Sequence, residues 1–181
     1  DVYKRQRDIN PVEYEPRTLR SDMKEAEGNA IGVEECIACG RTLAEALEHL
    51  HEHGLAHRDV KPSNVIFVDG KAKLADIGLV ALRGQQTFVG TEGFVPPEGP
   101  GSAQADVYSL GKELYEMVTG RRAFAKASSA DVISAILNED PLGFSAQQNA
   151  IQPDVARILR RCLEKRKGER FQSARDLGFA L

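Results

Sequence analysis

Val33, Cys36, Ile37, Leu43, Ala44, Leu47 and Leu50 recur at three- and four-residue steps, the spacing that gathers apolar side chains on one stripe of a helix. The pattern predicts a long helix from Val33, ended by Gly54 where helices turn into a left-handed residue. The period then changes. VIFVDGKAKLAD, from Val65 on, holds two short β-rich runs around Asp69-Gly70, a dipeptide that a two-residue hairpin turn prefers because both residues tolerate positive φ. Residues 78–101 are punctuated by glycine and proline without any period and read as a loop. A second strong helix is predicted from Ala103, with Val107, Leu110, Leu114, Met117 and Val118 as its core stripe and Gly120 as its stop. Three weaker helices follow: 129–137 with Ser128 or Ser129 as N-cap, 155–165 with Pro153 at its start, and 173–181. Residues 7–20, polar and carrying Pro11 and Pro16, read as a loop or extended entry. The expected class is α+β, mainly α, with one small antiparallel β-hairpin.

Composition changes this picture little. The chain has 181 residues, long enough for one domain with a real core, and its 41% apolar and 28% charged residues are ordinary for a soluble chain. A net charge of −3 argues against a dominant role on nucleic acid or anionic membrane. No apolar run approaches the ~20 residues that span a bilayer, and no signal peptide opens the sequence. Three cysteines make no disulfide framework, which points to a reducing cytoplasm. Residues 1–6, DVYKRQ, resemble a translated sequencing-adapter remnant and are set aside from the fold reasoning.

The density of chemistry lies in HRDVKPSN, residues 57–64, which packs an imidazole, a guanidinium, a carboxylate, an ammonium and a carboxamide into eight positions. A hairpin returns the chain to its starting end, so Asn64 before the first strand and Asp76 after the second are expected side by side. A carboxamide oxygen beside a carboxylate is a hard, oxygen-only ligand set suited to Mg²⁺, which completes its shell with phosphate oxygens and water. Lys61 supplies a point charge where a transferring phosphoryl group needs neutralising, and Asp59 is left to orient an acceptor hydroxyl and take its proton.

His57-Arg58-Asp59 followed by Asn64 resembles the catalytic loop of protein kinases. Asp76-Ile77-Gly78 is similar to the D-F-G motif and Pro96-Pro97-Glu98 to A-P-E. Asp106 resembles the aspartate that opens the family's central helix and holds the catalytic loop's backbone, and Arg170 the arginine that pairs with the A-P-E glutamate, here Glu98. The likeness runs from about Glu34 to Phe179. Lys61 after the aspartate, with Thr91 in GTEGFVPPE, is similar to the serine/threonine branch, and the wording looks bacterial, of the Hanks type.

The resemblance implies a kinase C-terminal lobe over residues 7–181, truncated at both ends, with the N-terminal lobe absent. It implies ATP and Mg²⁺ as cofactors and a protein substrate bearing a Ser or Thr. Asp59 would be the base, Lys61 would steady the γ-phosphate, Asn64 and Asp76 would hold the metal, and Ile66 would floor the adenine. Arg58 would receive an activation-loop phosphate on Thr87, Thr91 would bridge Asp59 and Lys61, and His57 would be a packed member of the loop. Two departures stand out: Ile77 replaces the motif's phenylalanine and Pro96 its alanine. The sequence also holds no G-x-G-x-x-G loop, no strand lysine of the V-A-I-K type and no partner glutamate upstream, which implies negligible turnover by this chain alone.

Other readings carry less. A non-catalytic scaffold descended from a kinase is disfavoured by the presence of Asp59, Lys61, Asn64 and Asp76 together. Cys36-x-x-Cys39 with His49, His51, His53 and His57 nearby suggests zinc or redox chemistry, yet no second C-x-x-C or βαβ context accompanies it, and Cys36 lies on the apolar stripe. The basic residues Arg160, Arg161 and Lys165 to Lys167 read as a solvated helix face.

Overall fold

The computed structural model describes residues 17–26, 30–76, 81–82, 93–141 and 151–181. Ile77, Thr87, Thr91 and residues 1–6, all singled out above, lie outside the described residues.

Helix α1, Leu19–Glu25, occupies part of what reads as a polar entry. Its cue is a reciprocal cap rather than a periodic stripe. The Thr18 hydroxyl accepts the Ser21 backbone N–H at 3.1 Å while the Ser21 hydroxyl accepts that of Thr18 at 3.0 Å. With only Leu19 and Met23 apolar, the helix is too short to register as a period, yet Leu19 is buried in the core.

Helix α2 runs Val33–Glu52, and its buried stripe is Cys36, Cys39, Gly40, Leu43, Ala44, Leu47 and His51. The expected stripe was rotated slightly: Val33, Ile37 and Leu50 are half-buried and flank it. Gly54, at φ 75°, closes the helix by donating its N–H to the His51 carbonyl at 3.0 Å.

Strand β1, Leu55–Ala56, is followed by a 3₁₀ turn, Pro62–Asn64, and by the hairpin β2, Val65–Val68, and β3, Lys71–Leu74. The hairpin register pairs Val65 with Leu74 and Val68 with Lys71, and Asp69 and Gly70 take φ of 50° and 75° in the two-residue turn. Strand β4, Ala81–Leu82, pairs antiparallel with β1, so the stretch read as loop contains a strand. Two residues are too few to show a period of two, which is why the pattern missed it.

Helix α3, Ala103–Thr119, is the centre of the fold. The Ser102 hydroxyl caps it through the Ala105 N–H at 3.0 Å, and Gly120 at φ 64° ends it. Every residue from Ala105 to Val118 is buried, because α2 and α6 pack on one flank and α5 on another. Helices α4, Ser129–Asn138, α5, Pro153–Cys162, and α6, Ala174–Ala180, complete the chain; Ser128 caps α4, Pro153 opens α5 and Ser173 caps α6. Helix α5 stops three residues before its expected end, and Lys165, read as part of a solvated face, instead donates to the Ile136 carbonyl at 2.6 Å. The architecture is mainly helical with small antiparallel two-stranded sheets, one of which carries the polar loop. No helix among the described residues is long and apolar enough to cross a membrane.

Candidate active site

The loop between β1 and the 3₁₀ turn is held from below by one carboxylate. Asp106, in the first turn of α3, is 1% exposed. One of its oxygens accepts the Arg58 backbone N–H at 2.9 Å, and the other accepts the His57 N–H and the His51 Nε2, both at 2.8 Å. A buried carboxylate is costly unless hydrogen-bonded, and three donors meet that demand here. The clamp also holds Arg58 at φ 71°, a left-handed conformation that costs a non-glycine residue on the order of 1 kcal/mol. The His57 ring, itself fully buried, points its Nε2 at the Ala75 carbonyl 3.3 Å away.

With its approach fixed, the chain presents Asp59. Its carboxylate is 4% exposed and sits 2.6 Å from the Lys61 ammonium. Asn64 donates its amide to the Asp59 carboxylate and to the Asp59 backbone carbonyl, each at 2.9 Å. Pro62 opens the 3₁₀ turn that brings Asn64 back over Asp59, and the Asn64 N–H closes it on the Lys61 carbonyl at 2.9 Å. Since both hydrogen bonds to Asp59 use the Asn64 nitrogen, the carboxamide oxygen is the atom left for other partners.

The hairpin closes at the same end. The Ala75 N–H donates to the Asn64 carbonyl at 2.7 Å, one step beyond the Val65–Leu74 pair, which sets Asp76 next to this rung. Asp76 is exposed and, at φ 57°, turns out of the strand direction. An amide oxygen and an exposed carboxylate at one hairpin end are all-oxygen donors, so the residues fit a hard divalent cation such as Mg²⁺. Ile66 is half-buried on β2 and bridges to Thr18, where the chain enters α1.

Glu98 and Arg170 form a separate cluster. Arg170, 1% exposed, uses all five of its N–H groups. Two go to the two Glu98 carboxylate oxygens at 2.7 and 2.8 Å, and the others to the carbonyls of Glu164, Gln104 and Lys165 at 2.7 to 3.1 Å. Its guanidinium lies 4.8 Å above the Tyr108 ring centroid, two residues past Asp106 on α3. The two clusters therefore share one helix.

The Cys36 and Cys39 thiols are buried, and burial pushes both up to about 12, which keeps them protonated and poor as metal ligands or nucleophiles. His53 uses its Nδ1 on the His49 carbonyl at 2.7 Å. Among the described residues no group of three or more His, Cys, Asp and Glu is arranged to hold a metal.

The sequence reading missed two features. His51 continues the buried stripe four residues past Leu47, and a polar residue at an apolar position was the available signal. Lys112, Glu113 and Glu116 are all buried on α3, where periodicity assigns only the apolar positions to the core. Burial holds the Glu113 carboxyl up at about 8, raises Glu116, and brings Lys112 down to about 8.

Comparison with known proteins decides the family. The sequence profile of the protein kinase domain matches residues 4–177. The chain belongs to the protein kinase domain family. The protein kinase PksC of Streptomyces coelicolor, a serine/threonine kinase by name, is 35% identical over 179 residues, covering 90% of this chain and 32% of its own length. The serine/threonine-protein kinase drp72 of Corynebacterium efficiens is 33% identical, covering 94% of this chain and 34% of its own. The serine/threonine-protein kinase PknB of Mycobacterium tuberculosis is 32% identical over 146 residues, or 74% of this chain and 23% of its own length. This kinase domain chain thus spans about a third or less of the length of these relatives, and it is of the Hanks type they represent.

Proposed function

We propose that residues 7–181 are the C-terminal lobe of a serine/threonine protein kinase, in which the γ-phosphate of ATP passes to a Ser or Thr hydroxyl of a protein substrate. The observation that carries this reading is the Asp59 carboxylate, held by Lys61 at 2.6 Å and Asn64 at 2.9 Å at the mouth of the hairpin. Phosphoryl transfer asks the protein for positioning and charge neutralisation rather than covalent chemistry, and these residues supply both.

In this reading Asp59 accepts the proton of the substrate hydroxyl and fixes its approach. Lys61 stays beside Asp59 and faces the phosphoryl group with a positive charge. The Asn64 oxygen and Asp76 would hold Mg²⁺, which would supply positive charge against the phosphates. Asp106 and His51 act at one remove by holding the backbone of His57 and Arg58. The sequence contains no glycine-rich loop and no lysine of the V-A-I-K type, so in isolation it does not enclose ATP and its turnover is negligible.

The test is Asp59→Asn in the full-length protein that carries this chain. Labelled phosphate transfer from ATP to a Ser/Thr substrate drops at least about a thousandfold, while the thermal transition stays within a few degrees of wild type. Transfer at wild-type rate overturns the assignment.

A further inference from the structure

A cavity of about 340 Å³ opens beside α3, roofed by the start of α4 and walled by residues 93 and 94. Arg20, Lys112, Arg122 and Lys126 line it, with the Phe94 and Phe124 rings. Among the described residues one acidic side chain, Glu116, shares the lining, and Lys126 is ion-paired with Glu139 at 2.7 Å. Ser128 and Ser129, at the N-terminal end of the ten-residue α4, add the positive end of that helix.

The second observation is Lys112 itself. It is 3% exposed, and its ammonium rests 4.9 and 5.5 Å from the Phe94 and Phe124 ring centroids. Among the described residues it makes no hydrogen bond and no ion pair at contact distance. A buried cation that lacks a hydrogen-bonded anion is costly, and the desolvation that lowers Lys112 to about 8 expresses that cost, which the Glu116 charge one turn on offsets only in part. An incoming anion removes it.

Position within the fold supplies the class of ligand. Asp106 holds the loop that carries Asp59, and Lys112 lies six residues further along the same helix. Ser109, between them, ties the cavity wall to α3 by donating to the Phe94 carbonyl at 2.8 Å. The cavity and the Asp59 loop are thus anchored on one helix.

We propose that this cavity binds an acidic side chain of the protein substrate, within a few residues of the acceptor hydroxyl, and that Lys112 is the residue that selects it. The proposal deepens the kinase reading above and rests on it for the placement of the acceptor. A carboxylate there gains a charge-assisted hydrogen bond from the buried Lys112, while Lys112, Arg20 and Arg122 together offset the nearby Glu116.

The experiment uses the full-length protein and Ser-containing peptides with Asp, Ala or Lys at each position two to four residues on either side of the acceptor. At one of these positions the Asp peptide shows a KM about tenfold below that of the Ala peptide, the size of one charge-assisted hydrogen bond, and the Lys peptide a higher one. Lys112→Met raises the KM of the Asp peptide to that of the Ala peptide. Equal KM for all three peptides, or a preference that survives Lys112→Met, overturns the proposal. If Lys112→Met does not fold, Arg122→Gln, an exposed position, is read instead and weakens the same preference severalfold; an unchanged preference counts against the site. A parallel measurement without ATP follows fluorescence anisotropy of the Asp peptide with Ala at the acceptor. Loss of its binding in Lys112→Met supports the cavity even if transfer itself is absent, so failure here and failure of the catalytic reading are told apart.

Discussion

His51 and Asp106 meet through a 2.8 Å hydrogen bond between two buried side chains 55 residues apart, and the same carboxylate oxygen holds the backbone N–H of His57. The last buried turn of α2 thereby fixes the first turn of α3 and, through it, the approach to Asp59. Asp106→Ala leaves three buried donors without an acceptor and costs about 4 kcal/mol in urea denaturation. His51→Ala costs about 2 kcal/mol. Because His51 acts through Asp106, the double variant costs less than the two single losses added together. Strict additivity would show that the imidazole serves only as core filling.

The Glu98–Arg170 pair predicts a sharp difference between two cations. Lysine has one nitrogen and cannot reproduce a planar fork that satisfies both Glu98 oxygens and three carbonyls at once. Arg170→Lys is expected to cost about 3 kcal/mol, close to the loss from Arg170→Met, since both strand buried carbonyls without donors. The thermal transitions of the two variants check it. A lysine variant as stable as wild type would mean that charge, rather than fork geometry, secures residues 96–98 to the helical core.

Much of this was visible in the sequence because local chemistry and tertiary need coincide there. Asp69-Gly70 requires left-handed φ at both positions, so the hairpin and its register follow from two letters. Ser128, Pro153 and Ser173 announce three helix starts in the same way. The grouping of His57, Arg58, Asp59, Lys61 and Asn64 was legible since a tight loop and one turn of 3₁₀ helix leave little freedom. What stayed hidden depends on distant partners. Strand β4 exists because β1 is there to pair with it, and α1 is fixed by a cap and by the burial of Leu19. The burial of Lys112, Glu113 and Glu116 follows from α3 being enclosed, which no three- or four-residue step along its own sequence reports.

Helix α3 crosses α5 at a glycine, and that contact gives a prediction about geometry alone. A Cβ on Gly111 would lie 2.2 Å from the Cys162 Cβ and 3.5 Å from its Cα. Gly111→Ala therefore forces the helices apart and destabilises by about 3 kcal/mol, beyond any gain in helix propensity. Removing the sulfur does not help, because the clash is with Cβ. Gly111→Ala with Cys162→Ala remains as unstable as the single variant, whereas Gly111→Ala with Cys162→Gly recovers part of the loss. Denaturation midpoints of the three proteins decide it, and recovery with Cys162→Ala would mean that the sulfur, at 3.2 Å, sets the spacing instead.

Glu113 makes the stability of the domain depend on pH in a direction opposite to that of a paired carboxylate. It is 0% exposed, and among the described residues neither of its oxygens finds a hydrogen-bond partner. Burial is the main cause that holds it protonated up to about 8, the Glu116 charge adds to this, and Arg20 opposes both. The unfolded chain releases the same proton near 4.5. Between those values the folded state binds more protons than the unfolded state, so stability falls as pH rises from about 4.5 to about 8 and levels off above. Lys112, brought down to about 8 from 10.5, acts only on the alkaline side: between those values the unfolded chain keeps the proton that the folded state has released, so this contribution rises with pH. Glu113→Gln removes the carboxyl titration without changing the volume of the site. Its stability relative to wild type should be near zero at pH 4.5 and about 4 kcal/mol positive at pH 8, since the wild type loses about 1.4 kcal/mol per pH unit across this window. Urea denaturation at half-unit pH intervals measures the slope, and an unchanged slope in Glu113→Gln would assign the pH dependence to Glu116 on the next turn of α3.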